Sequence, residues 1–379
     1  MELKRWLLLP IPLLYVIVPM MIESKIGFYQ ASPWDVKTYA IFDVILSYMI
    51  FFCIFSNGKI RSKFFYEIKD IISIIINDRW LKYLFILLLI MLSFSVKESI
   101  GYIILGVSRD ELHETGIVNH ATIISGEFFK ILTFLVLFFF PRKSYFFIIG
   151  LILSMLVSAS RNEVMYSIFI LISLFLIYPK VNLVKMAVYI LILMLLLSLF
   201  TLFIQARGVG SNPFTYILFK LITYKAFTLQ LASNVISTFN DLDNVLLPAF
   251  GRYYEFFAIK FLSISNVATS GFALEYHELG YNVFENYTMR ANVNYPWWSW
   301  WIAVFGPIGL LLKAIYITIL MALFNMAKLR LTMLYFISML LLNSQLVHPF
   351  LSTKDCIGLI VVILLDFYAL LIIKKTQRV

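Results

Sequence analysis

The sequence predicts an all-α polytopic membrane protein, and three observations support this class. Only 14% of the 379 residues are charged while 61% are apolar, whereas soluble domains carry about one quarter charged residues. Uncharged stretches long enough to cross a hydrocarbon core recur along the whole chain. Runs such as 84–92 and 189–199 do not alternate between apolar and polar residues, as a transmembrane barrel requires. These features exclude soluble enzymes, disordered tails and secreted disulfide scaffolds.

Membrane spans are predicted wherever an apolar run approaches the twenty or so residues that a helix needs to cross a bilayer. About ten segments qualify: 6–23, 38–55, 81–100, 119–140, 144–160, 161–178, 186–205, 297–324, 331–350 and 356–373. An even number of spans places both termini on the same side of the membrane. Short loops rich in Lys and Arg remain in the cytoplasm. In this arrangement the inner face consists of both termini, the 56–82 loop and the short loops around 142, 180–185 and 328–330. It carries 17 basic and 4 acidic residues, so we predict cytoplasmic termini.

One long external segment, residues 206–296, is predicted between the seventh and eighth spans of a single integral membrane domain, residues 1–379. Two parts of it, 213–239 and 245–263, have helical patterns that charged residues interrupt. A charge at the bilayer centre costs about 2.5–3.5 kcal/mol. We therefore expect amphipathic helices lying at the outer interface, with a re-entrant hairpin as the alternative.

The basic excess, a formal net charge of +10, is explained by this topology. No nucleic-acid partner is needed to account for it. The two cysteines, Cys53 and Cys356, have neither a disulfide framework nor a metal-ligand spacing around them. We therefore predict no metal and no other cofactor.

Four arginines on the predicted outer face are candidate ligands for a diphosphate group. Arg161 follows small residues in Ser158-Ala-Ser-Arg161, Arg207 lies in a glycine-rich exit from the seventh span, and Arg290 shortly precedes the eighth. Arg252 is one of the charged residues that interrupt the second interfacial helix, 245–263. A guanidinium binds phosphate oxygens in a bidentate way and remains charged at every relevant pH. The alternative for each arginine is that it only reaches toward lipid phosphate at a span end.

Three residues are candidate general bases. His348 ends the ninth predicted span, and an imidazole with a pKa of about 6.5 is suited to proton transfer at neutral pH. The alternative is that His348 is an interfacial histidine with hydrogen-bonded ring nitrogens and no catalytic role. Glu163, two residues after Arg161, and Asp355, in the loop after the ninth span, are the other candidates.

Ionisable residues inside predicted spans are functional candidates by default. Glu127 and Lys130 lie one helical turn apart, so they can form an ion pair that is either functional or a structural lock. Asp43 in the second span has the same two interpretations. The tryptophans of 296–301 predict an aromatic belt at the headgroup level, with a sugar-stacking platform as the alternative.

These features together resemble O-antigen polymerases of the Wzy type. The resemblance lies in the many spans with small inside loops, the Ser-Ala-Ser-Arg161 step, the large external loop, and Asn294-Tyr-Pro296 leading to Phe305-Gly306-Pro-Ile-Gly309. Members of this family are bacterial oligosaccharide repeat-unit polymerases. The likeness covers most of the chain as architecture and a short part of it as motif.

The resemblance implies a metal-independent glycosyltransferase of the C type in the bacterial inner membrane, with a periplasmic active site. Its substrates would be undecaprenyl-diphosphate-linked glycans, both as donor and as acceptor, which an inverting displacement joins into O-antigen of lipopolysaccharide or a related surface polysaccharide. The arginine of the small-residue step corresponds to Arg161, and the loop arginines to Arg207 and Arg290. Membrane lipid and a chain-length regulator protein are the implied partners.

Other classes fit parts of the pattern. An O-antigen ligase shares the donor and differs in the acceptor. A lipid-linked oligosaccharide flippase or another transporter is expected to have a basic central cavity and usually internal symmetry, which this sequence lacks. A membrane O-acyltransferase is expected to have its catalytic histidine facing the cytosol, whereas His348 is predicted outside.

Overall fold

A computed structural model describes residues 10–104, 119–158, 162–178, 188, 191, 213–238, 245–261, 277–282, 287–291 and 295–376. The described chain is mostly helical, as predicted. Its helices are, in chain order, α1 (Pro10–Ile26), α2 (Trp34–Phe55), α3 (Gly58–Asn77), α4 (Arg79–Ile104), α5 (His120–Phe139), α6 (Tyr145–Ser158), α7 (Asn162–Ile177), α8 (Pro213–Thr238), α9 (Leu247–Phe250), α10 (Arg252–Phe261), α11 (Trp297–Phe305), α12 (Gly309–Met326), α13 (Arg330–Ser338) and α14 (Thr353–Thr376).

Several of these helices are long and apolar enough to span a membrane. Within the described residues there are five such segments: Trp34–Phe55, Arg79–Tyr102, His120–Phe139, Thr353–Lys375 and Trp297–Met326, the last of which joins α11, a 3₁₀ turn and α12. Three shorter apolar helices are Tyr145–Ser158, Val164–Ile177 and Arg330–Leu341. The seventh predicted span, 186–205, lies outside the described residues except at Val188 and Leu191. The total of ten spans therefore stays a prediction.

The fold divides into two compact units. Unit 1 consists of Met1–Ile54, Leu218–Leu323 and Met339–Cys356, and unit 2 of Phe55–Ile217, Phe324–Ser338 and Ile357–Val379. Unit 1 contains most of the predicted external segment, and unit 2 contains most of the predicted cytoplasmic loops.

Small residues bring the helices of unit 2 close together. A Cβ on Gly150 of α6 would lie 2.3 Å from the ring of Phe129 on α5, and one on Gly126 would lie 2.5 Å from Ser154 Oγ. Helices in membranes associate through such close packing, because lipid supplies no hydrophobic driving force between them. The Glu127–Lys130 ion pair forms in this bundle, and the Lys130 ammonium lies 4.5 Å from the ring centroid of Tyr166.

The predicted cytoplasmic loop 56–80 contains an amphipathic helix, α3. Asn57 caps it, since its side chain accepts a hydrogen bond of 2.9 Å from the amide of Lys59. One face is buried in unit 2 and carries Arg61, Phe64, Phe65, Ile68, Ile71, Ile72, Ile75 and Ile76. Glu67 on this helix accepts a 2.6 Å hydrogen bond from Arg330 Nε. This contact ties α3 to the start of α13.

A buried carboxylate from another helix caps the N-terminus of α13. Asp366 of α14 accepts hydrogen bonds from the amide nitrogens of Leu331 at 3.1 Å and Thr332 at 2.7 Å. The first amide groups of a helix have no partner within the helix, and without water each costs several kcal/mol to leave unsatisfied. Asp366, a charge within the last predicted span, therefore serves as a cap supplied by a neighbouring helix.

The eighth predicted span, 297–324, is broken in the structure. Helix α11 ends before a 3₁₀ turn, Gly306–Ile308, in which Gly306 has φ +63° and Pro307 cannot donate a backbone hydrogen bond. A Cβ on Gly309 would lie 2.1 Å from the carbonyl oxygen of Trp301. The Phe305-Gly306-Pro-Ile-Gly309 motif thus forms a tight elbow between α11 and α12.

The ninth predicted span, 331–350, is also shorter than expected. Helix α13 continues into a π-helix, Met339–Asn343, and residues 344–352 are not helical. The fourteen residues of 330–343 extend about 21 Å at 1.5 Å per residue, less than a hydrocarbon core of about 30 Å. The 344–352 loop is nevertheless mostly buried. His348 therefore lies in a buried loop, and the prediction that it ends a helix is wrong.

A β-hairpin in the predicted external segment departs from the all-α expectation. Strands β1 (His277–Asn282) and β2 (Tyr287–Ala291) pair antiparallel. The turn between α1 and α2 joins them, since the Tyr29 amide donates to Leu279 O at 3.0 Å and the Tyr281 amide to Gly27 O at 2.9 Å. The hairpin and this turn both belong to unit 1, and these hydrogen bonds hold them together.

Candidate functional site

The strongest candidate site is a buried polar cluster in unit 1, which we call the Asp43 cluster. It consists of Asp43 on α2, Lys225 on α8, Lys313 on α12 and Gln345 at the start of the 344–352 loop. Their exposed fractions are 2%, 0%, 1% and 4%. Four ionisable or amide side chains are thus enclosed by a unit built mainly of apolar helices.

The members of the cluster form a chain of hydrogen bonds. Lys313 Nζ lies 2.5 Å from Oδ1 of Asp43, and Gln345 Nε2 donates to the other carboxylate oxygen. Lys225 Nζ donates to the backbone oxygen of Gln345 at 2.6 Å and to its side-chain oxygen at 3.3 Å. Gln345 therefore links the carboxylate to the second lysine.

The charges of the cluster do not balance. Two lysines contribute positive charge and one aspartate contributes negative charge, so ordinary ionisation leaves one positive charge in excess. Removing an ammonium ion from water costs several kcal/mol, which only good partners offset. Lys313 has a carboxylate partner, whereas the partners of Lys225 are neutral oxygens. The site has the electrostatic character of an anion site.

Trp297 supports the cluster and holds the 344–352 loop in place. Lys313 Nζ lies 4.9 Å from its ring centroid, a distance at which a ring attracts a cation. The Trp297 amide donates to Ser344 O at 2.9 Å, and its indole Nε1 donates to Pro248 O at 2.6 Å. Non-helical backbone at membrane depth is tolerated only where protein buries it or it lines a cavity, and Trp297 supplies part of this burial.

The neighbouring tryptophans are buried by protein as well. Trp298, Trp300 and Trp301 have exposed fractions of 0%, 1% and 5%. A belt residue places its ring at the lipid headgroups, so the prediction of an aromatic belt is wrong for these side chains. Within the part of the chain that the structure describes, the indole nitrogens of Trp298 and Trp301 have no hydrogen-bond partner.

His348 is fully enclosed between the loop and the segment around α9. Its Nδ1 accepts a hydrogen bond of 3.0 Å from the amide of Phe350, and its Nε2 lies 3.2 Å from the carbonyl oxygen of Leu247. One nitrogen accepts and the other donates, which is the pattern of a neutral imidazole. The rings of Trp297 and Trp300 each lie 5.9 Å from it. Its use as a base stays a prediction, and it requires that the bond between Nδ1 and the Phe350 amide open.

Arg252 contacts the 344–352 loop through its backbone, and Asp355 follows the loop in the chain. The Arg252 side chain is exposed at the start of α10, and its amide donates to Phe350 O at 2.7 Å. Asp355 is 2% exposed in the first turn of α14. Between them, the Tyr253 hydroxyl donates to Cys356 O at 2.7 Å, and burial raises the pKa of this hydroxyl above its ordinary value. These contacts close the loop onto α10.

The remaining predicted site residues are only partly placed. Arg161 and Arg207 lie outside the described residues. Arg290 is on β2 opposite Glu278 of β1, and Glu163 is the second residue of α7. The convergence of Arg161, Arg207 and Arg290 on one site stays a prediction.

Sequence reasoning recognised only part of the Asp43 cluster. Asp43 is predicted as an intramembrane charge, whereas Lys225 is one of the charged residues that interrupt the helical pattern of 213–239, and no sequence signal marks Gln345. The available signal was that Asp43 and Lys313 both lie in apolar segments of spanning length, where charges are paired or functional. Their pairing with each other could not be read from one sequence, because 270 positions separate them.

Comparisons with known proteins do not identify a relative. No family model matches the chain, and no curated protein or solved structure matches it. Among the described residues, no group of three or more His, Cys, Asp and Glu side chains is placed to hold a metal ion. Function is therefore inferred from the chain's own residues.

Proposed function

We propose that this chain is a membrane glycosyltransferase of the O-antigen polymerase type. It polymerises undecaprenyl-diphosphate-linked repeat units at the periplasmic face of the bacterial inner membrane, and both of its termini are cytoplasmic. The observation that carries the proposal is the Asp43 cluster, in which two buried lysines share one carboxylate inside a unit of apolar helices. A lipid-linked diphosphate has an anionic head group, which cations bind, and an apolar tail, which lies in the membrane.

The proposed reaction is an inverting displacement at a sugar. The acceptor hydroxyl oxygen attacks the anomeric carbon of the donor, the bond from that carbon to the diphosphate oxygen breaks, and a base takes the hydroxyl proton. Negative charge develops on the leaving diphosphate. Fixed cations directed at this charge stabilise the transition state, and they do so more strongly where water is excluded.

Two sets of cations are available in this proposal. Arg161, Arg207 and Arg290 are the predicted guanidinium clamp on the diphosphate, because they come from the small-residue step and the large loop. Lys225 and Lys313 are the buried cations of unit 1. Both are almost fully buried, so their charges are weakly screened.

The base is one of His348, Glu163 and Asp355. A base must come within hydrogen-bond reach of the proton that it removes. His348 satisfies this condition only if its Nδ1, which accepts from the Phe350 amide, exchanges that amide for the acceptor hydroxyl. Asp355 is equally buried but lies in the first turn of a helix.

A transporter or flippase of lipid-linked oligosaccharide is the second candidate. It is favoured by the two interruptions in apolar helices, namely the elbow at Gly306–Ile308 and the buried 344–352 loop. Transporters commonly bind substrates at discontinuous helices near the bilayer midplane. An O-antigen ligase, which shares the donor, is the nearest alternative among enzymes.

Glycan profiling of a deletion strain tests these functions against each other. Lipid A capped with a single repeat unit is the result expected for a polymerase, because units are still made, exported and ligated. Complete loss of the capped form indicates a ligase or a flippase. A normal ladder of chain lengths would overturn the proposal, and restoration of the ladder by the wild-type chain is the control.

A further inference from the structure

We infer, relying on the proposed function for the identity of the carrier, that the Asp43 cluster is a binding site for a phosphate-class anion. In the structure, the Lys225 ammonium donates hydrogen bonds to two oxygens of Gln345. The anion replaces the side-chain oxygen of Gln345 on Lys225. Neither the predicted arginine clamp nor the candidate bases are part of this site.

Lys225 differs from the other buried lysines of the described chain. Lys37 lies 2.8 Å from Glu23 Oε2, Lys130 is paired with Glu127, and Lys313 is paired with Asp43. Lys225 is 0% exposed, and its Nζ contacts only the two oxygens of Gln345. Among the described residues it is therefore the buried lysine whose ammonium has no carboxylate within ion-pair distance.

Burial lowers the pKa of Lys225 to about 7, because its charged form is disfavoured away from water. A counter-ion beside the ammonium would therefore stabilise its charged form. An anion that binds beside Lys225 supplies the missing charge. Asp43 attracts Lys225 through space, but its two oxygens are hydrogen-bonded to Lys313 and to the Gln345 amide. The cluster thus holds one carboxylate for two lysines.

Gln345 is suited to release Lys225. Its side-chain oxygen lies 3.3 Å from Lys225 Nζ, longer than the 2.6 Å contact with its backbone oxygen. Its Nε2 remains on Asp43 when the oxygen is exchanged. The residue also belongs to the non-helical 344–352 loop, where a side chain can be exchanged without breaking helix hydrogen bonds.

Phosphate is the class of anion that fits best. Lysine binds phosphate as a point charge without a required orientation, and the cluster offers two lysines with an amide between them. A lipid-linked diphosphate and a soluble phosphate share this chemistry. They differ in the apolar tail, so an experiment with both distinguishes the sources.

The test measures anion binding to the purified full-length chain in detergent, with farnesyl diphosphate and inorganic pyrophosphate as probes. Wild-type protein should bind, and Lys225→Met should weaken binding about tenfold or more, because a charged hydrogen bond is lost. Lys130→Met is the matched control, since it removes another buried lysine but should leave the affinity unchanged. Lys37→Met replaces it if Lys130→Met does not fold.

Melting temperature without ligand provides a second readout. Lys225→Met should melt at or above the wild-type temperature, because an uncompensated charge is replaced by an apolar side chain of similar length. Lys130→Met should melt lower, because Glu127 is left without its partner. A merely structural role for Lys225 predicts the opposite order.

Each outcome has a defined meaning. Stronger binding of farnesyl diphosphate than of pyrophosphate supports a lipid-linked anion, and equal binding supports a soluble phosphate. The inference is overturned if wild-type protein binds neither probe, if Lys225→Met binds as wild type does, or if it melts lower than Lys130→Met. A deletion strain with a normal glycan ladder defeats the proposed function alone, because binding is measured separately.

Discussion

Lys313 Nζ lies 2.5 Å from Oδ1 of Asp43, and 270 positions of the chain separate the two residues. The contact joins α2 to α12 within unit 1. Both side chains are almost fully buried, at 1% and 3% exposure. Two apolar helices that each carry one charge are thereby fixed in register, because any shift would separate buried ions.

Removal of either partner of this ion pair should destabilise the protein. Asp43→Asn leaves two buried lysines without a carboxylate, and Lys313→Met leaves the carboxylate with only the amide of Gln345. Each single variant should lose about 3–5 kcal/mol of unfolding free energy. The double variant should lose clearly less than the sum, because neither charge is then left alone. Melting curves in detergent measure this, and additive losses would show that the two charges are not coupled.

The elbow between α11 and α12 gives a second stability prediction. Gly309→Ala places a methyl group where the Trp301 carbonyl oxygen would be 2.1 Å away. The backbone must move to accommodate it, at a cost of about 1–3 kcal/mol. We expect a lower melting temperature and a lower yield of folded protein.

Gly101→Ala is the matched control for the elbow. A Cβ on Gly101 meets nothing within 4 Å, and alanine is the better helix former. This variant should melt at or slightly above the wild-type temperature. Equal losses for both glycines would remove the steric explanation of the motif around Gly309.

The sequence was sufficient for the elements whose signal is local. The helices at 38–55, 119–140 and 356–373 were placed within a few residues, because unbroken apolar runs specify both helix and burial. It was insufficient where the contacts are distant. Gln345 and Asp43 are 302 positions apart, and the hairpin at 277–291 is held in part by the turn at Gly27, so neither arrangement leaves a periodic signal in the chain.

The interruptions escaped prediction for a different reason. Segments 297–324 and 331–350 are apolar throughout apart from a few polar residues, and hydropathy reports burial without reporting whether the backbone is helical. Gly306-Pro307 was a local sign of the first break. The second break has no such local sign, because Pro349 comes six residues after the helix has ended at Asn343.

The topology predicts opposite sides for α3 and for the segment around α8. Lys63 on α3 is exposed, whereas its neighbour Ser62 is half-buried, so Lys63→Cys is a suitable labelling site. It should resist an impermeant maleimide in intact cells, whereas Ser237→Cys, exposed on α8, should react. A Cys53→Ser background removes the exposed native thiol. Labelling of Lys63→Cys from outside would reverse the assignment that the 17-to-4 charge balance predicts.

The arginine clamp predicts a loss of polymerisation without a loss of folding. Arg161→Ala, Arg207→Ala and Arg290→Ala should each abolish most long-chain glycan while the protein remains inserted at normal levels. Lysine at these positions should restore activity only in part, since a point charge cannot reproduce a bidentate guanidinium. Glycan ladders and membrane immunoblots from complemented deletion strains measure both quantities. Full-length glycan from all three alanine variants would end the clamp hypothesis.

The last prediction separates two roles for His348. As a base it should be needed for turnover but not for folding, so that His348→Ala loses transfer to lipid-linked acceptors while its melting temperature is unchanged. The structure also gives it a positioning role, because its ring is 0% exposed and both nitrogens contact the backbone. Loss of these bonds should then cost about 1–3 kcal/mol of unfolding free energy.

His348→Gln distinguishes the two, since an amide can replace backbone hydrogen bonds but cannot accept a proton at neutral pH. We expect His348→Gln to recover much of the melting temperature that His348→Ala loses. If the base is His348, transfer by purified His348→Gln remains abolished despite this recovery. If transfer returns together with stability, His348 only positions the 344–352 loop, and the base must be sought at Glu163 or Asp355.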